Sequence, residues 1–100
     1  MTKNERFASL LLRGVRRELE RLRAVETHSL RREDWQLRAA ATNANAGIVA
    51  ANFPMLLGRE LDEAGRKAAQ RAAARLEADG KIVRLRLGYD GARLTHFQIV

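Results

Sequence analysis

The chain has 100 residues, 46% of them hydrophobic and 31% charged, which suits one small globular core in a single domain spanning residues 1–100. The absence of cysteine excludes disulfides, thiol nucleophiles and thiolate metal sites, and no stretch approaches the roughly 18 apolar residues that a membrane-spanning helix needs. Because the net charge is +7 and no apolar signal segment follows the N-terminus, we expect a soluble cytoplasmic protein that binds a polyanion and not a membrane.

The positive charge is concentrated at the two ends of the chain. Residues 1–30 contain seven cations and four acids, residues 31–62 contain four of each, and residues 63–100 contain eight cations and four acids. Between Glu63 and Glu77 there are four cations and no acid. A coding bias toward arginine explains the high arginine content about as well as function does, so the placement of the cations, and not their number, indicates nucleic acid as the partner.

Apolar residues at steps of three and four predict an amphipathic first helix over about residues 4–26. Five of them also follow the 4-3-4-3 spacing of a coiled-coil seam, namely Ala8, Leu12, Val15, Leu19 and Leu22. For this face, packing on the chain's own core is favoured over a seam between two chains. A homodimer through the same helix is the alternative that this spacing predicts.

The next segment gives weaker signals. Ser29 is predicted to cap a second helix over about residues 30–41. Trp35, the only tryptophan, is expected to anchor the core of so small a domain. The polar composition of residues 42–47 predicts a loop, and residues 48–53 are short, apolar and ambiguous.

The second half of the chain is easier to interpret. Pro54 suits the first turn of a short helix over about residues 55–61, and Asp62 suits the cap of a further helix that ends at Gly80. The inward face of that helix is almost all alanine, with Ala64, Ala68, Ala69, Ala72, Ala73 and Leu76. Since small side chains allow helices to approach closely, the two helices on either side of Asp62 are expected to cross in contact.

After Gly80 the apolar period changes from about 3.6 to 2, which predicts strands. In the first strand Val83, Leu85 and Leu87 alternate with Ile82, Arg84 and Arg86. Residues 88–91 are predicted to form a turn, and residues 92–100 a second β-rich run. The predicted fold class is therefore mainly α with a C-terminal β-hairpin.

The order of these elements and two stretches of sequence resemble a winged helix-turn-helix domain. Residues 71–83 (RAAARLEADGKIV) resemble the end of the recognition helix and the start of the wing in bacterial winged-helix regulators, and residues 91–96 (GARLTH) resemble the returning wing strand. The match covers just under half of the chain. The resemblance implies a helix-turn-helix over about residues 54–79 and a wing over about residues 81–100, preceded by N-terminal helices over about residues 4–41.

The same resemblance implies binding of double-stranded DNA, in transcription regulation or in the replication of a plasmid, phage or other mobile element. The recognition helix would enter the major groove with its N-terminal half, and the wing would lie along the backbone or minor groove. The predicted DNA-binding residues are Arg66, Lys67, Gln70 and Arg71 near the bases, Arg75 near phosphate, and Arg84, Arg86, Tyr89 and Arg93 in the wing. A solvated helix face is the structural alternative, and a winged-helix protein-interaction module without DNA binding is the functional one.

No sequence feature indicates an enzyme. The two histidines, His28 and His96, lie far apart in the sequence. They therefore form neither the His-x-x-x-His nor the His-Glu-x-x-His motif that brings two histidines onto one metal. We therefore predict no catalytic residue, no metal, no cofactor and no small-molecule substrate.

Overall fold

The computed structural model describes residues 2–100. Its helices are α1 (Lys3–Arg23), α2 (Trp35–Asn45), α3 (Phe53–Leu57) and α4 (Glu63–Ala78). Its strands are β1 (Ile48–Ala50), β2 (Ile82–Leu85) and β3 (His96–Ile99), and two short 3-10 helices, Thr27–Ser29 and Arg32–Asp34, connect α1 to α2. No helix in these residues has both the length and the apolar character needed to cross a membrane.

Helix α1 supplies the largest share of the core. It begins where the Thr2 hydroxyl accepts a hydrogen bond of 3.1 Å from the backbone N–H of Glu5. Its buried face contacts α2, α3 and α4 and consists of Phe7, Ala8, Leu11, Gly14, Val15, Leu19 and Leu22. The prediction that this face packs on the chain's own core is confirmed. Of the heptad-spaced positions only Leu12 is not fully buried, and it also packs on the core, so these side chains offer no free seam to a second chain.

Gly14 allows α1 and α3 to approach each other closely. A Cβ atom at this position would lie 2.0 Å from the carbonyl oxygen of Leu56. Glycine in a helix interior costs about 1 kcal/mol relative to alanine. The close approach explains why α1 contains one, because Leu56 is itself fully buried beneath the helix.

The start of α2 differs from the prediction. Ser29 lies in a 3-10 turn and does not cap a long helix, and α2 begins at Trp35 and continues through most of the predicted loop to Asn45. Trp35 is 63% exposed, so its assignment as a core anchor is wrong. The reason is its position on the helix: Ala41 and Ala44 face the core, with Leu37 one turn before them, and a residue two positions before Leu37 points to the other side.

Helix α4 forms as predicted. The Asp62 carboxylate accepts a hydrogen bond of 2.7 Å from the backbone N–H of Gly65, and Gly80, with φ of +72°, follows the end of the helix. Its alanine-rich face is buried except for Ala68, which is half-buried, and Ala64, which is exposed. That face packs mainly on α1, so the expected close crossing with α3 is wrong. The physical reason is that α3 is a short helix that ends at Leu57, before the predicted boundary.

The three strands form an antiparallel sheet in the order β1-β3-β2. The predicted hairpin is confirmed, with Ile82 opposite Ile99 and Leu85 opposite His96, whereas β1 was not predicted. The second strand is shorter than predicted, because β3 covers only His96–Ile99, and the fully buried Phe97 fixes the inner face of the sheet. Its partner Arg84 and the buried Ile82 share that face, and Val83, which is 39% exposed, lies on the other.

The domain is therefore mainly helical with a C-terminal antiparallel hairpin, and the order of α2, β1, α3, α4, β2 and β3 gives it a winged-helix-like topology. Helix α1 precedes this arrangement and packs across it. The Phe53 and Phe97 rings, with centroids 5.7 Å apart, join α3 to the sheet beneath. This framework holds α4 and the hairpin side by side on one part of the surface.

Candidate nucleic-acid interface

Helix α4 presents a basic outer surface because its inner face is fixed by packing on α1. With Ala69, Ala72, Ala73 and Leu76 buried, helical periodicity leaves all five predicted contact residues exposed, namely Arg66, Lys67, Gln70, Arg71 and Arg75. Lys67 and Arg71 lie at the centre of this outer surface, one turn apart. Gln70 lies on the flank that faces β2, and Arg75 lies on the opposite flank. We call Arg66, Lys67, Arg71 and Arg75 the α4 basic face.

The C-terminal turn of α4 is tied to the wing by one carboxylate. Glu77 accepts hydrogen bonds from the backbone N–H of Arg84 at 2.7 Å and from its guanidinium at 3.0 and 3.1 Å. The backbone hydrogen bond, followed by the guanidinium hydrogen bonds, lowers the pKa of Glu77 below the usual value of a glutamate. Arg84 therefore serves first to fix β2 against α4, and its guanidinium is already occupied.

Next to this pair, α4 and the hairpin enclose a cleft of about 250 Å³. Gln70 and Ala73 line it from the helix, Arg84 and Arg86 from the strand, and Leu94 from the returning arm of the wing. The fold thus brings three of the predicted contact residues together at the junction of helix and wing. Tyr89 and Arg93 do not line the cleft.

The predicted DNA-contacting cations differ in whether a carboxylate already pairs with them. Lys67 pairs with Glu63 at 3.6 Å and Arg75 with Asp79 at 3.3 Å, both across one turn of α4 and both exposed. Exposed pairs of this kind contribute little, so a phosphate can replace the carboxylate at small cost. Within residues 2–100, Arg66, Arg71, Arg86 and Arg93 have no carboxylate oxygen within 4.0 Å.

The wing is braced at its stem. Thr95 accepts a hydrogen bond of 2.8 Å from the backbone N–H of Leu87 and donates its own N–H to the carbonyl oxygen of Leu85 at 2.9 Å. At the tip, Asp90 accepts a hydrogen bond from the backbone N–H of Ala92 at 3.0 Å, so its carboxylate organises the turn. Tyr89 is fully exposed beside it.

Sequence reasoning missed the role of Glu77. Glu77 lies in the last turn of α4, on the flank that faces β2, and Arg84 follows after the turn at Gly80. An ion pair between the helix and the strand could therefore have been predicted from the sequence. His96 bonds within the hairpin as expected, with Nδ1 2.8 Å from the Thr95 hydroxyl. Residues 2–100 contain no cluster of three or more histidine, aspartate or glutamate side chains that could hold a metal ion.

A second, larger cavity of about 620 Å³ lies between α1, α2 and β1. Apolar side chains dominate its lining, including Leu22, Leu37, Val49 and Met55, and Trp35 stands at its rim. No residue of α4 contributes to it. This cavity is therefore separate from the α4 basic face.

In three comparisons with known proteins, no family model, no curated protein and no solved structure matches this chain. Function is therefore inferred from the residues and their arrangement alone.

Proposed function

We propose that the chain is a winged helix-turn-helix protein that binds double-stranded DNA, with α4 in the major groove and the hairpin along the backbone. The observation that supports this best is the division of α4 into a wholly apolar buried face and an outer surface with four cations. If this outer surface served only to form stabilising ion pairs, acidic side chains would alternate with the cations along it. The two acids that pair with them, Glu63 and Asp79, lie at the ends of the helix.

Each side chain has a role that its chemistry suits. Arg66 and Arg71 can each bond guanine O6 and N7 through two guanidinium N–H groups, and Gln70 can bond adenine N6 and N7. Lys67 joins them near the bases. Phosphate contacts fall to Arg75 on the helix and to the wing residues Arg86, Arg93 and Tyr89, whereas Arg84 positions the wing through Glu77.

The setting we propose is cytoplasmic, in transcription regulation or in the replication of a mobile element. The chain has no proposed catalytic activity, cofactor or small-molecule substrate.

A salt-dependent mobility shift with a random duplex of about 20 base pairs tests this proposal. Neutralising about five phosphates gives a slope of roughly −4 to −5 for the logarithm of affinity against the logarithm of salt concentration. The matched pair of variants is Arg71→Gln on α4 and Arg31→Gln on the exposed turn before α2, since each removes one arginine charge. We expect weaker binding only for Arg71→Gln. No shift at about 50 mM salt from folded protein would overturn the proposal.

A protein-interaction module is the second candidate function, and the exposed Trp35 beside an apolar cavity favours it. Exposed tryptophans next to apolar pockets are typical of partner-binding surfaces. Because Trp35 is the only tryptophan, its fluorescence reports on this surface alone. DNA that binds α4 should leave the emission of Trp35 unchanged, and a partner protein that covers the cavity should shift it to shorter wavelength.

A further inference from the structure

Helix α1 carries a second set of exposed cations that the proposed interface does not use. Over its first four turns the exposed residues Lys3, Arg6, Arg13, Arg16 and Arg17 form what we call the α1 basic face. The same stretch contains one acid, Glu5, at the edge of this face, and Glu20 follows one turn later. Within residues 2–100 no cation of the α1 basic face has a carboxylate oxygen within 4.0 Å.

Neighbouring elements hold this surface in place. The guanidinium of Arg17 donates a hydrogen bond of 3.1 Å to the carbonyl oxygen of Leu56, which fixes it against α3. Arg59, in the connection between α3 and α4, places its guanidinium 5.1 Å from the centre of the Phe7 ring. Another cation therefore adjoins the N-terminal half of α1, and the surface extends beyond a single helix.

The α1 and α4 basic faces point in opposite directions. The two helices pack against each other through their buried faces, so each exposed face is turned away from the other helix. Packed helices have axes about 8–10 Å apart, which places the two charged surfaces roughly 20 Å from one another. The shortest dimension of the whole domain is 27 Å, so a separation of roughly 20 Å is comparable with its thickness.

One straight duplex cannot contact both surfaces. DNA has a persistence length of about 150 base pairs, so a duplex that lies on α4 does not bend around a domain of this size without a large cost. From Arg6 to Arg17 the α1 basic face is about 16 Å long, which matches about five base pairs of duplex at 3.4 Å per pair. Its five exposed cations suit phosphate oxygens, which carry no sequence information.

We infer that the α1 basic face binds the backbone of a second DNA duplex, and that one molecule therefore bridges two DNA segments. This inference rests on the proposed function, because the first segment is the one that α4 reads. The second segment is bound without sequence preference, since only phosphates are contacted. Bridging of this kind brings distant sites on DNA together.

A capture assay tests this inference on the full chain. One duplex of about 15 base pairs is fixed to beads, the protein is added, and retention of a second, fluorescent duplex of the same length is measured. The test variant is Arg6→Gln/Arg13→Gln, and the matched control is Arg31→Gln/Arg32→Gln, which removes two exposed charges elsewhere. Neither residue of the test variant makes a side-chain hydrogen bond or ion pair within residues 2–100, so folding should be unaffected, and circular dichroism checks this.

We expect the wild type and the control to retain the second duplex. The test variant should lose at least about tenfold of that retention at about 0.1 M salt, because each lost phosphate contact contributes roughly 0.9 to the salt slope. Its affinity for a single duplex should stay within about twofold of the wild type, because the α4 basic face is intact.

Two results overturn the inference alone: a wild type that binds one duplex but retains no second one, and a test variant that bridges as well as the wild type. The second of these would assign bridging to a dimer or to another surface. A wild type that binds no duplex at all overturns the proposed function as well. The two failures are therefore distinguishable in one assay.

Discussion

Gly14 lies where the contact between α1 and α3 leaves no room for a side chain. In an exposed helix Gly→Ala is stabilising, but here the new Cβ would lie 2.0 Å from a backbone oxygen and 2.8 Å from the carbonyl carbon of Leu56. We expect Gly14→Ala to lower the free energy of unfolding by about 1–3 kcal/mol or more, as for an overpacked core. Urea denaturation measures this. Ser9→Ala, at an exposed position on the same helix, is the control and should be neutral or stabilising.

Glu77 makes the link between α4 and the wing dependent on pH. Because the folded state lowers the pKa of Glu77, its contribution to stability is present at neutral pH and is lost as the pH falls through the lowered pKa. The difference in unfolding free energy between wild type and Glu77→Gln should therefore be constant above about pH 5.5 and shrink below about pH 4.3.

Acid titration of stability, followed by circular dichroism, checks the prediction for Glu77. Glu63→Gln removes an exposed carboxylate from the other end of α4 and is the matched control, with a smaller expected difference. A difference between wild type and Glu77→Gln that does not change down to about pH 3 would contradict the assigned ion pair.

At the scale of elements, removing an arginine from the recognition helix should change DNA binding in a different way from removing one from the wing. If Arg71 contacts a guanine, Arg71→Ala should cost about 1–3 kcal/mol of binding and relax sequence preference. Arg93→Ala, in the wing, should weaken all sequences alike and reduce the salt slope by about one. Binding measured on a selected site and on random duplex, at several salt concentrations, separates the two effects. If the three single variants Arg66→Ala, Arg71→Ala and Arg75→Ala all bind DNA as the wild type does, α4 is not the DNA-reading element.

The sequence predicts an element well when the residues that start and end it lie within or next to that element. Helix α4 has its start and stop signals in its own residues, at Asp62 and Gly80, so its bounds were predictable. Strand β1 has three residues and is defined by its pairing with β3, which is distant in sequence. The start of α2 depends on two 3-10 turns, and the position of Trp35 depends on that start.

The candidate site shows the same division between local and distant signals. Periodicity alone predicted the exposure of the α4 basic face, because burial of the alanine-rich face determines it. The cleft that joins Gln70 to Arg84 and Arg86 depends on which face of β2 turns inward. The buried Phe97 on the neighbouring strand decides that orientation, which the alternation within β2 alone does not determine.

At the scale of the whole molecule, the heptad-spaced positions of α1 hold the domain together, and they are not available to join two copies. Leu19 is only 3% exposed, so Leu19→Glu would bury a charge without a partner and remove a core leucine. Each of these changes costs several kcal/mol, which is comparable to the total stability of a domain of this size. We therefore expect Leu19→Glu to unfold the chain at every protein concentration.

Leu10→Glu is the matched control, because Leu10 is 40% exposed on the outer side of the same helix and should accept the charge with little loss of stability. Circular dichroism and sedimentation of both variants and the wild type make the comparison, across about a hundredfold range of concentration. A folded Leu19→Glu monomer beside a wild-type dimer would show that α1 forms an interface between chains. Folded Leu10→Glu and unfolded Leu19→Glu, beside a wild type that stays monomeric over this range, would show that the inner face of α1 packs on the chain's own core.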